Sequence, residues 1–403
     1  MTRVQSGGPA AVIFSRRGGS REPANVRRRD SRAIQAVAAL TLISLALGLI
    51  GLSADRLSGD EAATVVFASV PRFAGLTEDG GNMTAYYLLI HVIIHLFGAS
   101  RVALRLPSVI AGAATVPLVA ALGHRIRGAR VGLVAAALFT ISLPLVTWQQ
   151  VARGYTPGMF LATASVLAWL LLLERPDFTR AVGYVFLTTL AGYTLLFCWW
   201  LVVAEAVAML IAERLRRRVT PTSPVLHAGG AAQRRVLAAM GTALVCGLPL
   251  AAIATRKGFV QLSWLRRPSI GDLGGAFVML ASGLNGARGT ILAVGVVLAV
   301  GTGVCWLASL GGVRDARADA PQRIEVLLCA FWMILPPLGA FVGSWVSHPV
   351  YQDRYFEMCL PAAAVLTAVG LDRMRRLGTR FALVAVTTLV LLHAVVLAHG
   401  YPP

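Results

Sequence analysis

AIQAVAALTLISLALGLIGLS, residues Ala33 to Ser53, contains no charged side chain. Crossing the apolar core of a bilayer as a helix takes about 20 residues, and this run supplies them. In lipid each backbone N–H and C=O must be satisfied within its own segment, so a run of this kind is read as a helix. Two adjacent carboxylates, Asp60 and Glu61, follow in LSGDEAATVV, Leu57 to Val66. Further apolar runs recur along the rest of the chain, approximately at Leu106–Leu122, Val131–Thr147, Pro157–Leu173, Ala181–Phe197, Trp200–Ala212, Val236–Ala254, Thr290–Leu310, Ile324–Val346, Tyr355–Leu371 and Phe381–Ala398. The fold class these predict is all-α, a polytopic transmembrane bundle of about eleven helices.

Composition agrees. Of the 403 residues, 57% are hydrophobic and only 14% charged, with a mean hydropathy of +0.71. Soluble domains carry about 25% charged residues, so a soluble protein is excluded. The net charge of +19 raises nucleic acid as a partner. The arginines, however, cluster in short segments between apolar runs, as they do in cytoplasmic loops, and no basic stripe carries interleaved aromatics. Nucleic acid is therefore not expected, and membrane lipids are. The cysteines, Cys198, Cys246, Cys305, Cys329 and Cys359, lie in or beside apolar runs with no CxxC pair, and read as small hydrophobes.

Residues 1–32, with RRRDSR, read as a disordered basic arm holding the N-terminus in the cytoplasm, and residues 33–403 as one transmembrane domain. Residues 54–105 then form the first extracytoplasmic loop. Within it, YYLLIHVIIHLFG (Tyr86 to Gly98) is too short to span and is placed as a membrane-surface helix. GHRIRGAR, ERPDFTR, the segment Arg214 to Arg235, VRDARADAPQR and DRMRRLGTR all fall inside under this topology. The tail HGYPP falls outside. Trp199 and Trp200 sit at a predicted helix end, and Pro336 and Pro337 predict a kink.

Polar groupings gather on the outer side. They are Asp60-Glu61; EDGGNMTAYY with Glu78, Asp79 and Asn82; WQQVARGY with Gln149, Gln150, Arg153 and Tyr155; and SHPVYQDRY with His348, Tyr351, Gln352, Asp353, Arg354 and Tyr355. The segment Thr255 to Gly275 adds Arg256, Lys257, Arg266 and Arg267. Moving a sugar from a lipid phosphate to a hydroxyl needs a carboxylate base near the acceptor. It also needs cations, or a metal, on the departing phosphate. Arginine suits that role because its planar fork binds phosphate in bidentate fashion. Plainer roles stand beside these. Acids favour helix N-termini, so Asp60 and Glu61 could cap a surface helix. Arg101, Arg105, Arg266 and Arg267 suit lipid headgroups. His91 and His95, four apart, share a helical face but lack the glutamate of HExxH, and are read as packing. Glu205, inside a predicted span, is left without a role.

LSGDEAATV resembles the acidic first-loop motif of the GT-C glycosyltransferases. The stretch from NMTAYYLLIHVIIHLFG through ALRLPS and GHRIRGAR to WQQVARGY resembles glycosyltransferase family 39, the protein O-mannosyltransferase-like and aminoarabinose transferase-like enzymes. QDRYFEMCLPA resembles that family's later RY-LPA segment. The resemblance implies transfer, with inversion, of a sugar from a polyprenyl-phosphate donor to a cell-envelope glycan, lipid or protein acceptor on the outer face of a bacterial plasma membrane. Mannose or arabinose is the expected sugar. Asp60 matches the family's first-loop catalytic acid, with Glu61 beside it. Arg354, Arg153 and Tyr155 are assigned to the donor phosphate, and Asp79, Asn82, Gln150, Asp353 and Tyr355 to substrate. One position departs: relatives read QEARxY where this chain reads QVARGY, with Val151 replacing the acid. A divalent metal is left open as cofactor. A transporter or flippase of lipid-linked sugar, and a non-catalytic envelope-assembly scaffold, stand as alternatives.

Overall fold

The structure, a computed structural model, describes residues 24–70, 77–219, 230–258, 262–283, 289–311, 313 and 320–374. The expected span Phe381–Ala398, the tail HGYPP and most of the basic arm lie outside the described residues, as do parts of three of the basic loops. Among the described residues the chain is helical, with no strand. In order, the helices are α1 (Ala24–Leu49), α2 (Gly59–Ser69), α3 (Thr84–Phe97), α4 (Arg101–Arg127), α5 (Ala129–Thr140), α6 (Leu143–Trp148), α7 (Tyr155–Glu174), α8 (Phe178–Thr194), α9 (Trp200–Val219), α10 (Gly230–Ile253), α11 (Ile270–Ser282), α12 (Gly289–Leu310) and α13 (Ala320–Val346). The last described span, α14, runs over Asp353–Met374 and opens with a 3-10 segment at Asp353–Cys359. Seven helices among the described residues are long and apolar enough to cross a membrane, and the protein is a multi-pass membrane protein.

Four departures from the sequence reading have local causes. Residues 24–32, expected as disordered arm, are already helical, because α1 starts at Ala24 in a stretch rich in good helix formers. Val131–Thr147, expected as one span, is two helices parted at Ile141 and Ser142. Ser142 is extended and Pro144 sits in the first turn of α6, where its missing N–H costs nothing. The expected span Ala181–Phe197 ends at Thr194 and gives way to a 3-10 turn over Leu196–Trp199. The outer segment Thr255–Gly275 is not all loop: it holds a π turn at Ala254–Gly258 and the start of α11. Ser269 and Asp272 begin α11 with a reciprocal capping box, a signal that SIGD carries openly. The surface helix expected at Tyr86–Gly98 is α3, with Leu88, Leu89, Val92, Leu96 and Phe97 exposed along it.

Small residues let the helices approach closely, as membrane bundles require. Gly128, at φ +87°, is the whole link between α4 and α5, and the chain doubles back at once. The two helices then touch backbone to backbone. A Cβ on Gly132 would lie 2.4 Å from the carbonyl oxygen of Ala120, and one on Gly123 would lie 2.9 Å from the Cα of Gly132. Gly132→Val must push α5 off α4, and overpacking of this kind costs about 1–3 kcal/mol. We expect a lower thermal midpoint in detergent, read by tryptophan fluorescence; an unchanged midpoint would show that the contact tolerates a side chain.

Charge sorts to the two ends of the bundle. At one end Arg125 bonds Glu174 at 2.9 Å and Glu325 at 3.2 Å, and Arg127 meets Asp372 at 3.0 Å, which ties α4, α7, α13 and α14 together. Arg235 donates to the Pro176 carbonyl at the same end. Midway along the bundle Glu205, left without a role by the sequence, accepts a hydrogen bond from Tyr184 of α8 at 2.5 Å and is fully buried. The other end carries Asp60, Glu61, Arg153 and Arg354.

Candidate active site

The site is built on α2. Ser58 caps that helix: its hydroxyl accepts from the Glu61 N–H at 3.3 Å, and its own N–H donates to Glu61 Oε2 at 2.9 Å. This capping box turns Glu61 inward, where its side chain is 2% exposed. Arg105, from the first turns of α4, meets it side on, with Nε to Oε1 at 2.7 Å and Nη2 to Oε2 at 2.8 Å. The Ala152 N–H donates to Oε1 at 2.9 Å. Every lone-pair direction of Glu61 is therefore taken by a donor. Burial works to raise its pKa, but the bonds from Arg105, Ala152 and Ser58 prevail and hold the carboxyl below its usual range. Arg105 also donates to the carbonyls of Leu52, at 2.8 Å, and Arg56, at 3.3 Å. One arginine thus fastens the end of α1, the loop to α2, and α4 to a single carboxylate. Arg105 is not a headgroup anchor, as the sequence reading had it. It is 5% exposed and turned into the protein.

Asp60, one residue earlier, faces the opposite way. Its side chain is 42% exposed and pairs with the Arg354 guanidinium at the start of α14. Beside it lies Arg153, buried between α2 and α3, with Nη1 bonded to Tyr87 Oη at 3.2 Å, Thr64 Oγ1 at 3.3 Å and the Asp60 carbonyl at 3.4 Å. Its Nη2 lies 3.6 Å from Asp79, which accepts from the Tyr87 hydroxyl at 2.7 Å. Burial pushes the Asp79 carboxyl up, against the opposing pull of Tyr87 and Arg153. The Nε atoms of Arg153 and Arg354 and the Tyr155 hydroxyl are buried without a hydrogen-bond partner among the described residues. Both guanidiniums lean over tyrosine rings, Arg153 over Tyr155 at 5.8 Å and Arg354 over Tyr355 at 6.0 Å. Tyr355 stacks on Phe197 at 4.8 Å, so α14 is held against the turn after α8.

The remaining sequence candidates divide. Asp353 accepts the Arg354 N–H at 2.8 Å and so sits at the rim of the same cluster. Asn82 accepts the Leu196 N–H at 3.1 Å, which occupies its side-chain oxygen in holding the turn before α9. Gln150 donates to the carbonyls of Leu47 and Ile50 at 2.9 and 3.0 Å, closing the exposed end of α1. Each thus puts one side-chain atom to holding the scaffold. Among the described residues no group of three or more His, Cys, Asp and Glu side chains is placed to hold a metal ion. Asp60 and Asp79, the acids nearest the site, each already face an arginine. As placed, these residues do not offer a metal ion a ligand set. His91 joins α3 to the far end of α2, with its Nδ1 2.7 Å from the Ala68 carbonyl.

Residues 83–240 match the model of the dolichyl-phosphate-mannose-protein mannosyltransferase family. No curated protein matches the chain by sequence. Among solved structures, ArnT from Cupriavidus metallidurans is similar with and without undecaprenyl phosphate bound. The bound form superposes with a TM-score of 0.57 at 16% identity over 89% of this chain, and the apo form with 0.58 at 16% over 91%. The oligosaccharyltransferase of Archaeoglobus fulgidus, tethered to an acceptor peptide, gives 0.50 at 13% over 84%. This chain spans 64% of the length of the first and 49% of the last. The chain therefore has the fold of the GT-C membrane glycosyltransferases, and its residues 83–240 carry the pattern of the dolichyl-phosphate-mannose-protein mannosyltransferase family.

Proposed function

We propose that the chain is an inverting glycosyltransferase that takes a sugar from a polyprenyl-phosphate carrier and passes it to a hydroxyl of the cell envelope. The observation that carries this is one accessible carboxylate, Asp60, paired with the Arg354 guanidinium, while the Arg153 guanidinium sits beside it on the Asp60 backbone carbonyl, the two arginines coming from elements far apart in the chain. ArnT, whose fold this chain shares, is seen with undecaprenyl phosphate. In the proposed reaction the donor phosphate takes Arg354 from Asp60 and engages the unpartnered Nε atoms of Arg354 and Arg153. Asp60, released, accepts the proton of the acceptor hydroxyl. That oxygen attacks the anomeric carbon, the bond from this carbon to the phosphate oxygen breaks, and the carrier phosphate leaves with the electron pair. Tyr155 and Tyr355 wall the site, and Asp79 holds Arg153 in place. Glu61 positions: it is saturated with donors and has no lone pair to offer a substrate.

The site end of the bundle is assigned to the extracytoplasmic side. The opposite end carries Arg125, Arg127, Arg175, Arg180 and Arg235 in or beside short loops, the bias expected of the cytoplasmic side. This agrees with a bacterial plasma-membrane location and a cytoplasmic N-terminus. Mannose or arabinose is the sugar assigned. Purified protein given undecaprenyl-phosphate mannose or decaprenyl-phosphate arabinose with an envelope extract should release carrier phosphate and label the extract. Movement of labelled donor across vesicles with no bond cleaved would contradict the reading and favour a flippase.

A further inference from the structure

A cavity of about 420 Å³ opens beside the site, lined chiefly by Trp264, Arg266, Asp272, Tyr351, Gln352 and Asp353. It lies outside the spans, between the turn that leads into α11 and the strip of chain that leads into α14. No residue of the proposed reaction uses it. Its floor is fixed: the Tyr351 hydroxyl donates to the Asp272 carbonyl at 3.0 Å, and Trp345 Nε1 donates to the Pro268 carbonyl at 3.1 Å. Its rim is polar and charged: Arg266 pairs with Asp272 at 2.8 Å. The Gln352 side-chain amide makes no hydrogen bond among the described residues. Trp264 is 65% exposed and presents a large flat surface.

We propose that this cavity binds a sugar ring of the acceptor, so that the acceptor is a neutral glycan. Three features select that ligand. An aromatic face carries partial negative charge and suits the C–H edge of a sugar ring. An amide and a carboxylate, from Gln352 and Asp353, present both donors and acceptors to vicinal hydroxyls. The volume falls in the range of small-molecule sites, about 300–1,000 Å³, large enough for one or two sugar units. Position completes the argument. Asp353 lines the cavity and directly precedes Arg354 in the chain, its carboxylate accepting the Arg354 backbone N–H, and the Arg354 guanidinium pairs with Asp60. A glycan seated there has its next hydroxyl beside the acid that would take its proton. This inference rests on the proposed transferase reading, and it names the acceptor class that reading leaves open.

The test is binding, which needs no turnover. Full-length protein carrying Asp60→Asn, in nanodiscs, is titrated by calorimetry with mannotriose and with an arabinofuranosyl trisaccharide. We expect saturable binding of at least one, weakened about tenfold by Trp264→Ala and by Gln352→Ala and largely kept by Trp264→Phe. The binding persists when the protein is first saturated with undecaprenyl-phosphate mannose. Displacement by that donor would overturn the proposal and give the cavity to the donor's own sugar. No saturable binding by either trisaccharide, or equal binding in Trp264→Ala and Gln352→Ala, would overturn it as well. So would binding of a serine- and threonine-rich peptide that competes with the sugars, which would make the acceptor a protein. A failed release assay with intact sugar binding would sink the transferase reading alone.

Discussion

Asp60→Asn lowers sugar transfer by about 10²–10⁴-fold, the range a positioned general base contributes. Asparagine keeps the shape of the side chain and can still face Arg354, so the donor binds and the phosphate still meets its guanidiniums. What it loses is the carboxylate's basicity, which takes the acceptor proton. The fold is not at risk: the Asp60 side chain is 42% exposed, and its contacts to Thr64 and Arg153 run through its carbonyl oxygen. The thermal midpoint of the variant therefore matches that of the parent. A turnover number within a few-fold of the parent would remove Asp60 from the reaction.

Glu61→Ala has the opposite signature. Removing one partner of a buried ion pair leaves the other charged and uncompensated, at about 3–5 kcal/mol. Here the stranded group is Arg105, 6% exposed at the side chain, together with the Ala152 and Ser58 N–H groups. The variant loses the anchor between α1, α2 and α4, and its unfolding midpoint falls steeply. Activity falls with the folded fraction and not beyond it. Arg105→Ala strands Glu61 in turn and is expected to cost as much. The pH dependence follows from the direction of the shift. The Glu61 carboxyl sits below its usual range in the folded protein, so its contribution to stability is present above the ordinary carboxylate pKa. It is lost as the pH falls through the folded value. In Glu61→Ala that acid-side loss of stability shrinks. An acid-stable parent would contradict that linkage, and a Glu61→Gln variant that keeps its midpoint but loses turnover would make Glu61 a catalytic group instead.

Much of this is legible in the chain alone. Uncharged runs such as Ala33–Ser53 mark helices because lipid offers their backbone no other partner. Asp60, Arg153 and Arg354 stand out as charges that an apolar chain keeps at span ends, and the structure brings them into one cluster. Which side chain turns inward is harder to read from the chain. Asp60 and Glu61 are adjacent, and only the capping box at Ser58 decides that Glu61 is buried while Asp60 looks out. Ser58 and Glu61 have the spacing of that box, so a signal for the inward turn is present in the sequence. Arg105 carries no such signal. Its partner is 44 residues away, and nothing local distinguishes it from Arg101, which does stay exposed. The break at Ile141 is a similar case: Pro144 announces it, but the apolar run continues through it. Asn82 and Gln150 look like substrate groups by composition and are consumed by backbone groups of distant elements.

In the proposed complex a lipid-linked phosphate docks between Arg354 and Arg153 with its sugar in front of position 60. A structure of the Asp60→Asn variant in nanodiscs with undecaprenyl-phosphate mannose would show this arrangement. Phosphate density is expected within hydrogen-bond reach of both guanidiniums, with the anomeric carbon facing the substituted side chain at the start of α2. Donor density at any other part of the bundle, with Arg354 still turned to position 60, would contradict it.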